Sequence, residues 1–542
     1  MARSGLHRLP VHLLFAALLP VMSMYAVVPA RAETTELIRS SLCVLAAAVA
    51  IWAIFIVPLR DTTKAAILTT MTILLITLVT PDLMERADRS WLGDIGLTRR
   101  RYVLAMFGTV LLILAIALHR TRRPLGSLTT GLNIVTLGFL LPPVATLLSV
   151  RATTIYPEHR TGPILSAPTA TVAPGQKPDI YYIVLDRYGD NATMREHGFD
   201  NSEFLQSLES RGFFVARESH SNYLKTALSM SSSLNLQYHD DIVRTEGPAS
   251  PNWQPINYRL KHHVVGRFLK SQGYRYIHSG AAWWPPTVHT PLADENISYF
   301  SVPGSVTLLF RQPLLAPVSD KLDNSIVDHR RLKFERVNGQ LEALGRVPTQ
   351  PGPKFVLAHF LVPHPPEVFN EDGSYASRTE QGLRNYRENY RHQVMMANRI
   401  TNYLVTRILD MSPTPPVIIV QSDEGPYPEG LEDSGEYQFR GFTPAQLRLR
   451  SAILNAYYLP GPGREQLYHS ISPVNSFRLL FNAYFGTNLP MLPDRIFSHD
   501  SDVRPYSYAD VTDRVHEEVR YAAARRADVR PASTHKLPAD QP

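Results

Sequence analysis

Long apolar runs in the first 150 residues constrain this chain more than any other feature of its sequence. Each run approaches the length of a membrane-spanning helix, which needs about 20 apolar residues. The runs are Val11–Val28, Ser40–Val57, Ala65–Val79, Tyr102–Leu118 and Leu132–Val150, of which the third is short and needs its flanks to complete a span. The sequence therefore predicts a transmembrane region of about five helices over residues 1–150.

The first run has two interpretations. Arg3 and Arg8 precede it and Ala30-Arg31-Ala32 follows it, a pattern typical of a cleaved secretory signal. A retained helix is favoured because further apolar runs follow directly.

Basic residues predict which loops face the cytoplasm. The segment 120–123 contains three arginines, and Arg60 and Lys64 flank another short loop. Such loops stay on the cytoplasmic side, whereas the loop 81–101 carries both charges and is placed outside. With the first run retained or removed, the chain after Val150 emerges outside. We therefore expect a multi-pass protein of the cell (inner) membrane whose soluble domain is extracytoplasmic, that is, periplasmic.

The charge excess is modest: 55 Lys and Arg against 48 Asp and Glu, a net charge of +7. Nucleic-acid-binding proteins concentrate basic charge on one face, whereas here much of it lies in membrane-flanking loops and the C-terminal tail. We therefore expect no nucleic-acid partner. The single cysteine, Cys43, lies in an apolar run, which excludes a disulfide framework and a cysteine-based metal cluster.

The part after residue 150 predicts an α/β domain. Residues 151–177 are rich in Pro, Thr and Ala, which is typical of a linker, and the near-continuous apolar run Asp179–Leu185 is typical of a strand buried on both faces. Other strand-like stretches, alternating with helical patterns that include a long helix over Gln381–Asp410, are Phe213–Ala216, Tyr274–Ile277, Phe355–Phe360 and Pro416–Gln421. This alternation predicts a mostly parallel sheet within a domain over 178–508, followed by a charged, partly disordered tail over 509–542.

The stretch Ser221–Asn235 predicts a polar turn that leads into a helix of small residues, with the hydroxyl of Thr226 at the helix start. Unpaired N–H groups and the positive end of a helix make such a place suitable for a phosphoryl group. A hydroxyl there is also a common helix cap. Both interpretations stay open on this stretch alone.

Acids follow two of the predicted buried strands: Asp186 the first, and Asp423 with Glu424 the last. One acid at a strand end is commonly a turn residue, but ligands of parallel sheets lie beyond the carboxyl ends of the strands. Two strand ends that each carry acids predict a divalent-metal site, and carboxylate oxygen ligands suit Mg²⁺ or Mn²⁺. A metal beside Thr226 would activate its hydroxyl.

Two histidines lie in a proline-stiffened segment that begins at His359 and continues through His364 to Pro366. Histidines placed there can hold a phosphoryl oxygen or protonate a leaving group; the alternative is a structural role. His220 and His278 are weaker candidates.

The order of these motifs resembles the alkaline phosphatase/sulfatase superfamily. The motifs are a strand ending at Asp186, Thr226-Ala227 before a small-residue helix, the histidine segment, and a strand followed by Ser422-Asp423-Glu424-Gly425-Pro426. With about five N-terminal helices, the chain is most similar to the membrane-embedded branch, the lipoteichoic-acid synthases and phosphoethanolamine transferases. The resemblance covers most of the chain, including the late helix Ser472–Leu480, and implies a sulfatase-like (alkaline phosphatase-like) domain.

The resemblance also implies roles for individual residues. One divalent metal would be held by Asp186, Thr226, Asp423 and Glu424, with Thr226 as the catalytic nucleophile, and the substrate phosphate by His364 and, less directly, by His359. The chain departs from the superfamily at Glu424, where a histidine is usual. A carboxylate makes the site harder, so Mn²⁺ or Mg²⁺ is expected rather than Zn²⁺. The sulfatase pattern Cys/Ser-x-Pro-x-Arg is absent around Thr226, which counts against sulfate-ester hydrolysis.

Two functions from different classes follow. The first is a membrane-anchored phosphoryl-group transferase or hydrolase that moves a phosphoglycerol- or phosphoethanolamine-type head group through a phospho-threonine intermediate. Its donor would be a membrane phospholipid, and its acceptor a glycan, a lipid or water. The second is a catalytically degenerate, sulfatase-like protein of envelope assembly or binding, which the substitution at Glu424 motivates.

Overall fold

The computed structural model describes residues 9–27, 34–78, 81–90, 100–153, 177–281, 285–297, 329–431 and 439–528. Most of the predicted linker, the segment Ala30-Arg31-Ala32 and the end of the predicted tail lie outside these residues. The described residues form two compact units, one holding the helices up to residue 153 and the other holding the sheet and the helices packed on it. The predicted domain boundaries remain predictions.

The first unit is helical. Its helices are α1 (His12–Val27), α2 (Thr34–Leu59), α3 (Thr62–Leu78), α4 (Pro81–Asp88), α5 (Arg100–Arg120) and α6 (Gly126–Thr153). Three segments are long and apolar enough to cross a membrane, namely Leu37–Leu59, Arg101–Arg120 and Gly126–Ser149. The shorter apolar helices His12–Ala26 and Thr62–Thr77 correspond to the first and third predicted spans.

Helix α1 packs against α2, α3 and α6. Its first residue, His12, is fully buried, and its Nδ1 lies 2.7 Å from Oγ1 of Thr70. The backbone N–H of His12 donates to Oδ1 of Asn133, and the Asn133 amide donates to the carbonyl of Leu9. These hydrogen bonds satisfy polar groups at a helix start that is surrounded by apolar helices.

The second unit is built on a seven-stranded sheet. Its strands are β1 (Ile180–Leu185), β2 (Phe214–Val215), β3 (Arg275–Ser279), β4 (Glu295–Ile297), β5 (Lys354–Phe360), β6 (Val417–Ser422) and β7 (Asn455–Tyr458), in the order β2-β7-β6-β1-β5-β3-β4. Strand β1 lies at the centre and pairs in parallel with β5 and β6. Only β7 and β2, at one edge, pair antiparallel within this sheet. The predicted α/β fold with a mostly parallel sheet is confirmed.

Helices cover both faces of this sheet. They are α7 (Asn191–Glu196), α8 (Ser202–Ser210), α9 (Thr226–Asn235), α10 (Asp240–Glu246), α11 (Gln254–Lys261), α12 (Val264–Ser271), α13 (Pro285–Val288), α14 (His329–Leu344), α15 (Arg378–Gly382), α16 (Tyr386–Met411), α17 (Pro444–Ser451), α18 (Pro473–Phe485) and α19 (Thr512–Asp528). A separate antiparallel pair is formed by β8 (Phe497–Ser501) and β9 (Arg504–Asp510). The long helix predicted over 381–410 is α16, which begins at Tyr386 because Asn385 and Glu388 form a capping box.

Alternate residues of β1 face opposite layers, as side chains of a strand do. Tyr181, Ile183 and Leu185 belong to a buried cluster that includes residues of α8, α14 and α16. Tyr182 packs edge-on against Phe477 of α18, with ring centroids 5.2 Å apart, and α9 packs against α18. The even-numbered side chains of β1 therefore face the layer that contains α9.

Candidate metal centre

Strand register brings two of the predicted acids together. Leu185, the last residue of β1, pairs with Ser422, the last residue of β6, so Asp186 and Asp423 leave neighbouring strands at the same level. His359 pairs with Val184, two residues before Asp186 and on the same face of the sheet. His359 therefore lies within β5 and faces the acids.

Asp186, His359 and Asp423 each offer a ligand atom, and these atoms lie within 4.8 Å of one another. All three side chains are buried, with Asp186 fully so. Among the described residues, neither carboxylate oxygen of Asp186 has a hydrogen-bond partner, nor has Oδ2 of Asp423. Buried carboxylate oxygens without partners are expensive unless a cation compensates them. The group therefore fits a divalent metal ion.

The electrostatics of the group agree with this fit. Burial and the neighbouring charge of Asp186 raise the pKa of Asp423 to about 6. Burial opposes protonation of His359, whose Nε2 lies 3.3 Å from Oδ2 of Asp186, but the nearby Asp186, Asp423 and Glu424 carboxylates raise its pKa above the usual value. A bound cation would remove both effects, because it stabilises the ionised carboxylates and the neutral imidazole.

Thr226 is the first residue of α9, and its hydroxyl lies close enough to the Asp423 carboxyl to lower the pKa of that group, against the larger effect of burial. The N-cap position belongs to Lys225, which makes no side-chain cap hydrogen bond within the described part of the chain. The cap interpretation of Thr226 is therefore wrong. The structure instead places a nearly buried hydroxyl beside the acid–histidine group and at the positive end of a ten-residue helix.

His364 lies next to the group without being one of its three members. Its backbone N–H donates to the carbonyl of Asp186, and its Nδ1 lies 2.5 Å from the carbonyl of Pro365. Burial, followed by the positive charges of Arg187 and Lys333, holds its pKa well below the usual value. A neutral, buried imidazole at this position is suited to a hydrogen bond with a phosphoryl oxygen. Its predicted substrate role remains a prediction.

Glu424 follows Asp423 and is also buried. Its Oε1 pairs with Arg450 and lies 3.5 Å from Nε of Arg187. Sequence analysis missed both arginines. Arg187 had an available signal, because it directly follows Asp186; Arg450 lies on α17 and only the fold brings it to Glu424. The metal-ligand role predicted for Glu424 is not tested by these contacts.

Gly425 is required by close packing. A Cβ there would lie 2.2 Å from the carbonyl oxygen of Leu449, and its N–H donates to the carbonyl of Arg450 at 2.8 Å. Any larger residue would push α17 away from the segment that carries Asp423 and Glu424.

The weaker histidine candidates have other hydrogen-bond partners. Nδ1 of His220 lies 3.0 Å from the carbonyl of Glu218, and Nδ1 of His278 lies 3.2 Å from Oδ1 of Asn296. Neither belongs to the group formed by Asp186, His359 and Asp423.

The second unit is thus an α/β domain with a buried acid–histidine group at the carboxyl end of a mostly parallel sheet, beside a hydroxyl at a helix start. The solved structures to which the chain is similar include phosphoethanolamine transferase domains and a sulfatase.

Three of these structures show how similar the chain is to proteins of this kind. The C-terminal periplasmic domain of EcEptC from Escherichia coli, in complex with Zn, is 11% identical, with a TM-score of 0.41 and coverage of 62% of this chain and 93% of that one. The soluble domain of lipooligosaccharide phosphoethanolamine transferase A from Neisseria meningitidis is 13% identical, with a TM-score of 0.35 and coverage of 58% and 90%. BT1596, a 2-O GAG sulfatase, is 12% identical, with a TM-score of 0.38 and coverage of 65% and 91%. No protein-family model and no curated protein matches the chain.

Proposed function

We propose that this protein is a membrane-anchored, metal-dependent phosphoryl-group transferase or hydrolase. It moves a phosphoglycerol- or phosphoethanolamine-type head group through a covalent intermediate on Thr226. The observation that supports this proposal most directly is the buried group of Asp186, His359 and Asp423, in which three carboxylate oxygens lack hydrogen-bond partners among the described residues. The Thr226 hydroxyl lies close to Asp423 in this group.

Asp186, His359 and Asp423 would hold the metal, with the Thr226 oxygen beside them. Two carboxylates with one imidazole suit Mn²⁺ and also Zn²⁺, whereas Mg²⁺ prefers oxygen ligands alone. Of these two ions we propose Mn²⁺, because two of the three protein ligands are hard carboxylate oxygens. When bound, the ion supplies positive charge that lowers the cost of ionising the hydroxyl and of charge on a transferred phosphoryl group.

The other groups of the site have separate roles in the transfer reaction. Asp423 would accept the hydroxyl proton of Thr226 as Oγ attacks phosphorus and the Oγ–P bond forms. The bond from phosphorus to the lipid oxygen breaks, and that oxygen takes up the proton, so the lipid leaves as an alcohol. The N–H groups at the start of α9 would stabilise the charge that develops on phosphorus. The neutral imidazole of His364 holds a phosphoryl oxygen. A glycan, a lipid or water then takes the group from Thr226.

The apolar helices of the first unit would anchor the chain in a membrane. Three of them are long enough to cross a membrane, so phospholipid head groups would be presented at the surface from which the domain emerges. We place the domain on the periplasmic side of the inner membrane, because the basic loops of the first unit stay in the cytoplasm.

Mass analysis of the full-length protein tests the proposal. The protein, purified in detergent with Mn²⁺, is incubated with vesicles of phosphatidylethanolamine and phosphatidylglycerol and then digested. We expect an adduct on Thr226 whose mass identifies the head group. Thr226→Ala should carry no adduct, whereas the control Thr245→Ala should behave as wild type, because that hydroxyl donates only within its own helix.

Metal analysis of the same samples separates the two functional classes. A stoichiometric divalent ion together with the adduct supports the enzyme. Protein that binds no divalent ion and forms no adduct supports the degenerate assembly or binding protein instead.

A further inference from the structure

The carboxylate of Glu424 is paired with two arginines. Oε1 accepts from Arg450 and lies 3.5 Å from Nε of Arg187. The side chains of Arg450 and Glu424 are 1% and 2% exposed, and that of Arg187 is 6% exposed. Ion pairs so well removed from water are costly to break, because loss of one partner leaves the other charge buried and uncompensated. The negative charge of Glu424 therefore has two cationic partners within the protein. Its Oε2, like the oxygens of Asp186, has no hydrogen-bond partner among the described residues.

The two guanidinium groups are also fixed by an aromatic ring. The central carbon of Arg187 lies 4.4 Å from the centroid of the Tyr427 ring, and that of Arg450 lies 3.9 Å from it. Arg450 donates in addition to the carbonyl of Gly425. Cation–π contacts and a bonded carboxylate together immobilise both arginines. Glu424, Tyr427 and the two arginines thus form one rigid unit, which we name the arginine clamp.

The backbone at Arg187 is held beside the metal centre. Its φ of +68° lies in the left-handed region, which costs a residue with a side chain about 1 kcal/mol or more. The N–H of Arg187 donates to Oδ1 of Asp423 at 3.2 Å, and its carbonyl accepts from the Tyr390 hydroxyl at 2.8 Å. Strain of this kind persists where neighbouring contacts enforce it, and it is common at functional sites.

The charges around the metal centre indicate that the arginine clamp binds an anion. Asp186, Asp423 and Glu424 supply three negative charges, and Arg187 and Arg450 supply two positive charges. A bound divalent cation would turn this net negative charge into a net positive one. Such a site attracts an anion, and Arg187 is adjacent in sequence to Asp186 and close enough to His364 for its charge to affect that imidazole.

We propose that Glu424 is a positioning residue rather than a metal ligand: it orients Arg187 and Arg450 so that the arginine clamp binds anionic phosphoryl oxygens. The proposal rests on the proposed function and identifies how the site recognises its substrate class, a phosphate ester. Arg187 is the group that contacts a non-bridging oxygen, and Arg450 holds Glu424 in place. Where the superfamily that the motifs resemble usually has a histidine, this chain has a carboxylate that holds the guanidinium groups of Arg187 and Arg450.

Two binding measurements on the full-length protein in detergent test this role. Equilibrium dialysis gives the affinity for Mn²⁺ without substrate, and a phosphate titration of the Mn²⁺-loaded protein gives the affinity for inorganic phosphate. Glu424→Gln should change the Mn²⁺ affinity by less than about threefold, because the backbone N–H of residue 424 still donates to Asp423. Loss of a metal ligand or of its close partner would instead lower the affinity about 10–100-fold. The same variant should weaken phosphate binding about tenfold, because Arg187 and Arg450 lose the charge-assisted contact that orients them, and this loss outweighs the removal of one negative charge.

Substitutions of Arg187 complete the test. Arg187→Gln should weaken phosphate binding about tenfold or more without loss of Mn²⁺, and Arg187→Lys should recover part of the difference because it keeps the charge but not the planar fork. The control Arg391→Gln, which removes an exposed arginine paired with Glu371, should leave both affinities unchanged. Glu424→His should leave the preference between Mn²⁺ and Zn²⁺ as in wild type.

Three results would overturn the proposal: a 10–100-fold loss of Mn²⁺ affinity in Glu424→Gln, a shift toward Zn²⁺ in Glu424→His, or phosphate affinity in Arg187→Gln equal to wild type. Failure of the proposed function looks different, because it is read from the Thr226 adduct. Wild-type protein that binds phosphate through Arg187 and yet forms no adduct supports the arginine clamp and contradicts the transfer reaction.

Discussion

The metal centre should destabilise the metal-free protein, and one substitution measures this. Burial and the charge of Asp186 raise the pKa of Asp423 from its ordinary 3.8 to about 6. At about 1.4 kcal/mol per pKa unit, ionised Asp423 costs the folded state about 3 kcal/mol at pH 7.5. Because the folded state holds the proton more tightly, this cost is complete above pH 6 and disappears below pH 3.8.

Asp423→Asn removes the charge and keeps an oxygen that can accept from the backbone N–H groups of Arg187 and Glu424. In chelator at pH 7.5, the variant should therefore be more stable than wild type by about 1–3 kcal/mol, a rise in Tm of about 2–6 °C. Wild type should gain about 2.7 kcal/mol at a Mn²⁺ concentration 100 times its Kd. The variant should gain almost nothing from Mn²⁺.

Thermal unfolding of the detergent-purified protein, followed by tryptophan fluorescence with and without Mn²⁺, gives these differences. Asp410→Asn, which neutralises an exposed acid on α16, is the matched control and should leave both Tm values unchanged. A metal-free Asp423→Asn protein that melts below wild type would refute the charge argument. An undiminished response of that variant to Mn²⁺ would show that Asp423 is not a ligand.

Three further predictions concern the rest of the molecule. Burial, followed by nearby positive charges, lowers the pKa of His263 to about 3, so the free energy of unfolding should fall as pH drops below about 6.5. Between pH 7 and 5.5, His263→Asn, which keeps a helix cap, should reduce this fall by about 1 kcal/mol, measured by urea unfolding. An equal fall in the variant and in wild type would contradict this. Asp179 and Lys354 form a buried ion pair 2.6 Å apart, so Asp179→Leu should lower the free energy of unfolding by about 3–5 kcal/mol. The double substitution with Lys354→Leu should recover most of this loss, and an Asp179→Leu protein as stable as wild type would contradict the prediction. Because His12 is buried and hydrogen-bonded among the apolar helices, we expect the first helix to be retained, and intact-mass measurement of the membrane-extracted protein should include it; a mature protein that begins after Ala32 would support the cleaved signal.

Much of the fold could be predicted because its signals are local. A buried strand of a parallel sheet is a short apolar run, and β1 and β6 are such runs within one or two residues of their predicted bounds. Since parallel strands align their carboxyl ends, the acids that follow them, Asp186 and Asp423, could be expected to meet. Thr226 at a helix start is likewise a local feature, recognisable from the small residues that follow it.

The tertiary structure alone determined the rest of the site. His359 belongs to the metal centre because the register of β5 against β1 turns its side chain toward Asp186, and a register is set by packing between distant segments. The charge of Glu424 is compensated by Arg450, 26 residues later on another helix, and no pattern in either segment encodes that contact. Local sequence determines which elements form and which residues end them, whereas the partners of each buried charge depend on how those elements pack.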